Sequence, residues 1–95
     1  MRKIVLHKTG KILRGEYQGG RVYILQDSPK DEDFFVFIAP PKNSPEFNPD
    51  WLWFDDWVQD MENLEYYFTV KEWEIDWNAY DDKPEMQFPP PETKT

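Results

Sequence analysis

Thirteen carboxylates lie between Glu46 and Glu85 against Lys71 and Lys83 alone, and all five tryptophans stand among them. Residues of these types support three kinds of chemistry: acid–base catalysis by paired acids, coordination of a hard cation, and recognition of a cationic partner. The adjacent pairs Asp55–Asp56 and Asp81–Asp82 are candidates for the first, because a glycosidase needs two acids at the right separation beside aromatic sugar platforms. Neighbouring residues on a helix point roughly 100° apart, so neither pair forms a dyad by itself, and a chain this short has little room for a deep cleft. For the second, Asp27, Asp31, Glu32 and Asp33 sit in one loop, but that loop lacks the alternating ligands and central glycine of an EF-hand. It reads as a solvated acidic turn. His7, the only imidazole, stands early in a strand beside Lys8 and reads as a structural residue of the sheet. No catalytic, cofactor or metal site is assigned on these grounds, and the chain is read as a non-enzyme.

The third kind of chemistry fits the composition. The chain of 95 residues has no cysteine, which removes disulfides, thiolate nucleophiles and Cys-ligated zinc together. Aromatics make up 18% of it, and each buried ring removes roughly 150–250 Å² from water, so a core is within reach without a staple. The formal net charge of −8 is split: residues 1–26 carry six Lys and Arg against Glu16, and the remainder carries five Lys against eighteen acids. Affinity for nucleic acid comes from cations neutralising phosphates, and anionic lipid repels the same acids, so neither is the expected partner. Lys3, Lys8, Lys11, Arg14 and Arg21 either form a distinct cationic patch or pair with the acidic second half, and the second is the expectation, because opposite charges brought together in the folded sheet partly screen the self-repulsion of the domain. The apolar run before His7 is too short for a secretory segment, and no stretch approaches the roughly 20 apolar residues of a membrane span. A cytoplasmic location follows as the expectation.

The elements that would position these residues follow from periodicity and breakers. Residues 2–7 and 11–17 read as strands joined by a turn at Thr9-Gly10, and Gly19-Gly20 then returns residues 21–26 along the second, with Tyr17 opposite Val22. Phe34-Phe-Val-Phe-Ile38 is apolar on both faces and reads as a central strand. Four prolines between residues 40 and 50 leave no regular element there. Asn48-Pro49-Asp50 has the pattern of a helix start, and the spacing predicts a helix over 49–62 with Phe54, Trp57, Val58 and Met61 as its buried stripe. Asp60 and Glu62 would then sit at its negative end, where acid is mildly unfavourable. Residues 65–77 read as a last strand whose alternation changes phase. A bulge near Lys71 and Glu72 would keep Trp73 and Trp77 buried, and a regular strand would expose them. The expected fold is α+β, a mostly antiparallel meander of about five strands with one helix packed on it. It forms a single domain over residues 1–77, followed by a Pro-rich acidic tail over 78–95 that reads as disordered by composition, with Tyr80, Met86 and Phe88 as the apolar residues available for docking.

On that frame the acids of the helix, Asp50, Asp55, Asp56, Asp60 and Glu62, form a charged face with Trp51 or Trp53 as an aromatic anchor, while Trp57 belongs to the core. Exposed aromatics inside a ring of charge are how a protein contact obtains both short-range energy and steering. In size, acidity and motif-free aromatic richness the chain is similar to bacterial immunity proteins and to phage-encoded inhibitors that mimic nucleic acid. That similarity implies an inhibitor that covers the basic groove of a toxin such as a nuclease, as a monomer or in a one-to-one complex. Since no motif aligns, no site residue is carried over. The alternatives are an inhibitor of a host nuclease complex, a carbohydrate-binding module with Trp73 and Trp77 as a flat platform, and a subunit of a larger assembly.

Overall fold

A strand that is apolar at every position belongs in the interior of a sheet rather than at its edge, and Phe34-Phe-Val-Phe-Ile-Ala39 is such a strand. The computed structural model describes residues 4–28, 30–47 and 53–87. In chain order these residues form β1 (Thr9–Arg14), β2 (Arg21–Leu25), β3 (Phe34–Ala39), β4 (Phe54–Val58), α1 (Met61–Lys71), β5 (Glu74–Asp76) and a 3₁₀ turn at Pro84–Met86. The sheet has the order β4-β3-β2-β1-β5, with every neighbouring pair antiparallel. It is the α+β fold expected, with β1 to β4 as a meander. The chain then crosses from one edge of the sheet to the other through α1, which lies on one face.

Alternation assigns the faces. Phe34, Val36 and Ile38 are buried under the helix, opposite Val58, Asp56 and Phe54 of β4 and beside Val22 and Ile24 of β2. Leu64 and Phe68 of α1 close this core together with Ile12, Trp73 and Trp77. On the second face Phe35 and Phe37 are half-buried, opposite Trp57 and Asp55.

Thr9 and Gly10 are paired strand residues opposite Tyr23 and Val22, not the turn that the dipeptide suggests. Gly10 is small because a Cβ there would lie 2.4 Å from Ile75 Cγ2 and 2.8 Å from Trp77 Cε3. The chain turns before β1 instead, where His7 has φ 61. Its N–H donates to the Ile24 carbonyl (2.8 Å), and its Nε2 accepts from the Gln26 N–H (3.1 Å). The glycine turn between β1 and β2 forms, but it spans Gly15 to Gly20, and Val22 faces Gly10 rather than Tyr17.

The second half departs further from the expected elements. Residues 54–58 are an edge strand, not a helix, and residues 61–71 are the helix, not a strand. The start signal at residues 48–50 lies outside the described residues. Asp60 caps α1, its Oδ1 accepting from the Asn63 N–H at 2.8 Å, a geometry that satisfies one orphan donor of the first turn. Asp60 and Glu62 therefore sit at the positive end of the helix dipole, where acid is favourable, which reverses the mismatch expected for them. The helix ends at Glu72 with φ 57, and the Trp73 N–H donates back to the Phe68 carbonyl (3.1 Å). No bulge is needed to bury Trp73 and Trp77, because the phase change in their alternation is the helix end itself.

Beyond β5, Tyr80 is buried and Arg21 Nη1 donates to the Met86 carbonyl (2.7 Å), so residues 78–87 lie against the sheet. Phe88 and the rest of the tail lie outside the described residues. The basic first half does meet the acidic second: Lys8 pairs with Asp81 at 2.9 Å and Arg14 with Glu74 at 3.6 Å. The Arg14 pair is exposed and the Lys8 pair partly so, and such surface pairs contribute little. Lys3 lies outside the described residues.

Candidate functional site

Edge strand β4 and the outer side of α1 carry the residues that the sequence points to. Of these, Asp50 and Trp51 lie outside the described residues. Asp55 and Asp56 are on β4, Trp53 immediately precedes it, and Asp60 and Glu62 begin the helix. Strand alternation sends Asp55 and Asp56 to opposite faces, so the pair is separated more fully than on a helix.

Two of these carboxylates have internal work. Asp56 points to the helix side and accepts from the Tyr67 hydroxyl at 2.6 Å, and Asp60 is the helix cap, with the Asn63 side chain also donating to it (2.9 Å). Burial, and then the bond to Asp56, push the Tyr67 phenol well above its ordinary range. Asp55 and Glu62 are exposed, with no side-chain partner among the described residues.

The aromatic anchor lies elsewhere than expected. Trp57, assigned to the core by its spacing, is 56% exposed. Its side chain is on the face away from Val58, and its indole N–H donates to Asp33 Oδ2 at 2.7 Å. That bond fixes a large ring at the surface, which lowers the entropy lost on contact. Trp53 is also exposed, whereas Trp73 and Trp77 are 2% and 6% exposed. Those two cannot serve as a sugar platform.

Residues that sequence reasoning missed complete the surface. Along α1, Asn63, Tyr66, Tyr67 and Val70 recur at helical spacing and, with Trp57, Val58 and Gln59 of the β4 edge, line an open, mostly apolar groove. Tyr66 is 66% exposed and Val70 58%. Their spacing becomes a signal only once the helix is placed at 61–71. Lys71 closes one end of the groove and is itself engaged: its Nζ is 3.0 Å from Glu16 Oε1 and stands over the rings of Tyr67 (5.2 Å) and Tyr17 (5.5 Å). Residues 53–72 hold six acids and this one lysine.

No other chemistry gathers here. Among the described residues no group of three or more His, Cys, Asp and Glu side chains is placed to hold a metal ion. Among them, too, no helix is long and apolar enough to cross a membrane. Searches against protein-family models, curated proteins and solved structures return no match.

Proposed function

We propose that this is a non-catalytic binding protein that neutralises a basic partner protein through its β4–α1 flank, as an immunity- or antitoxin-type inhibitor of a toxin such as a nuclease. The observation that carries this reading is the exposure of Trp57, held in place by Asp33, beside the free carboxylate of Asp55 and the apolar Tyr66 and Val70. Carboxylates raise the encounter rate with a cationic surface, and a few fixed aromatics slow dissociation. Such action needs no cofactor, is directed at protein rather than nucleic acid or membrane, and takes place in the cytoplasm with one copy per partner.

The test is capture from a lysate of the source cells at low and high salt, with the wild type and a variant carrying Asp55→Asn, Asp56→Asn and Glu62→Gln. The Asp56 amide still accepts from Tyr67, so the fold is kept. Capture of one basic protein whose activity is blocked, lost at high salt and in the variant, is the expected result. Capture indifferent to both changes would overturn the electrostatic reading.

A further inference from the structure

Strand β4 ends the sheet, and among the described residues no strand pairs with its outer side. An edge of five residues with unpaired backbone groups is a template for another strand. A second copy of this chain is a poor occupant, because antiparallel pairing of two β4 strands over their full length sets Asp56 of one copy directly against Asp56 of the other, and like charges across strands are destabilising. The carboxylates of Asp55 and Asp56 favour a cationic strand. On the basis of the basic-partner reading above, we infer that the partner binds by adding an extended segment to the β4 edge, in which apolar and basic side chains alternate.

The two faces of β4 dictate that alternation. A strand added beside β4 places every second side chain on the helix side, in line with Val58 and with Asp56, whose carboxylate is already engaged by the Tyr67 hydroxyl, and there Tyr66, Tyr67 and Val70 form the apolar groove. Apolar side chains belong there. The intervening side chains fall on the other face in line with Asp55 and Trp57, exposed residues that offer a carboxylate and an aromatic ring. Lys or Arg side chains belong there, paired with Asp55 and stacked on the indole. Backbone pairing gives the affinity and the two surfaces give the pattern, as in other recognition by strand addition.

Short synthetic peptides of about six residues, the length of an ordinary strand, test this with the full chain. One alternates Val and Lys, and a second has the same composition with all Val preceding all Lys. Successive N–H groups of a strand point to opposite edges, so two further copies of the alternating peptide carry N-methyl groups on the Val amides only or on the Lys amides only. The expected result is that the alternating peptide binds about tenfold more tightly than the blocked one and slows hydrogen exchange at residues 54–58. One methylated copy should lose this binding and the other keep it. Equal binding of alternating and blocked peptides, or equal behaviour of the two methylated copies, would overturn strand addition. If those peptides still bind at low salt and are released at high salt, the basic-partner reading survives that failure. If no cationic peptide binds at low salt, both fall together.

Discussion

The two edges of the sheet use the same residue types to opposite ends. At the β5 edge two tryptophans are turned inward: Trp73 meets Phe68 edge-on at 5.1 Å and donates its indole N–H to the Glu16 carbonyl at 2.7 Å, while Trp77 stacks on Phe68 at 6.4 Å. Glu16 pairs with Lys71, and the Glu16 N–H donates to the Lys71 carbonyl (3.0 Å). At the β4 edge Trp57 faces water, and its acid neighbour Asp33 orients it without covering it. The difference teaches that an aromatic-rich acidic segment has no single meaning, and its partner atoms decide whether it serves stability or recognition. Four substitutions, one of them read against a matched change at Gly19, test the contrast, ordered by their cost to folding.

Trp73→Ala carries the largest. It removes a buried indole, its two ring contacts with Phe68 and Tyr67 and the bond to Glu16, and such truncations cost about 3–5 kcal/mol. Against the usual total of roughly 5–15 kcal/mol, urea denaturation should show a midpoint shifted far down. A midpoint near wild type would mean that the β5 edge is not the structural one.

Gly15→Ala comes next. Gly15 has φ 95, and a Cβ there would lie 2.4 Å from the carbonyl oxygens of both Lys71 and Glu72, which are backbone atoms unable to yield. Gly19 has φ 91 but meets only Pro41 Cβ at 3.7 Å. Both substitutions incur left-handed strain of about 1–2 kcal/mol, so the excess loss at Gly15, about 1 kcal/mol or more, measures the close approach of the β1–β2 turn to the helix end. Equal denaturation midpoints for the two variants would remove that approach as a stabilising feature.

Much of this fold is legible because sheet residues announce their period. The double-faced apolar run of β3, the glycine turn before β2 and the antiparallel succession of β1, β2 and β3 follow from local pattern, whereas the strand expected over 2–7 does not form among its described residues and β4 reads as helix. The helix is not legible, because Tyr66-Tyr67-Phe68-Thr69-Val70 is a run of β-formers that tertiary packing overrides, and only Leu64 and Phe68 of α1 are fully buried. Its ends give weak signals: Asp60 caps without a Glu or Gln three residues on, and Glu72 takes the left-handed position usually held by Gly. Conversely, Phe54, Trp57 and Val58 have helical spacing by coincidence, in a strand that tolerates two aspartates because it is an edge. The candidate site inherits this. Asp55 and Trp53 are legible from composition, whereas Tyr66 and Val70 depend on the helix phase, and the commitment of Asp56 and Asp60 to internal bonds depends on geometry.

Tyr67→Phe probes the link between the regions, since its hydroxyl ties α1 to β4 through Asp56. Loss of that bond should cost about 1 kcal/mol at neutral pH. The pH dependence adds a second readout. Burial and then the bond to Asp56 raise the Tyr67 phenol above 10.0 in the folded chain, and burial and then the charge of Glu16 push Tyr17 up to about 12. Above pH 10.0 the unfolded chain releases phenol protons that the folded chain retains, so stability is fully present below that pH and falls as pH rises through about 12. In Tyr67→Phe this alkaline decline should be shallower, with fewer late-titrating phenols by tyrosinate absorbance. An unchanged slope would show that Tyr67 is not held protonated by its place between helix and edge.

Trp57→Ala should cost folding least. The ring is 56% exposed, its contact with Asp33 is at the surface and the core side of β4 is held by Val58, so the midpoint should move by no more than about 0.5 kcal/mol. A structural tryptophan and a recognition tryptophan separate here: truncating the first unfolds the chain, and truncating the second leaves a folded chain that has lost a central contact. The check is therefore paired, with the denaturation midpoint and the affinity for the alternating Val–Lys peptide measured on the same preparation. Affinity lost with the midpoint kept assigns Trp57 to recognition. A midpoint lowered as far as in Trp73→Ala would show that the β4 edge is as structural as the β5 edge, and the contrast between them would not stand.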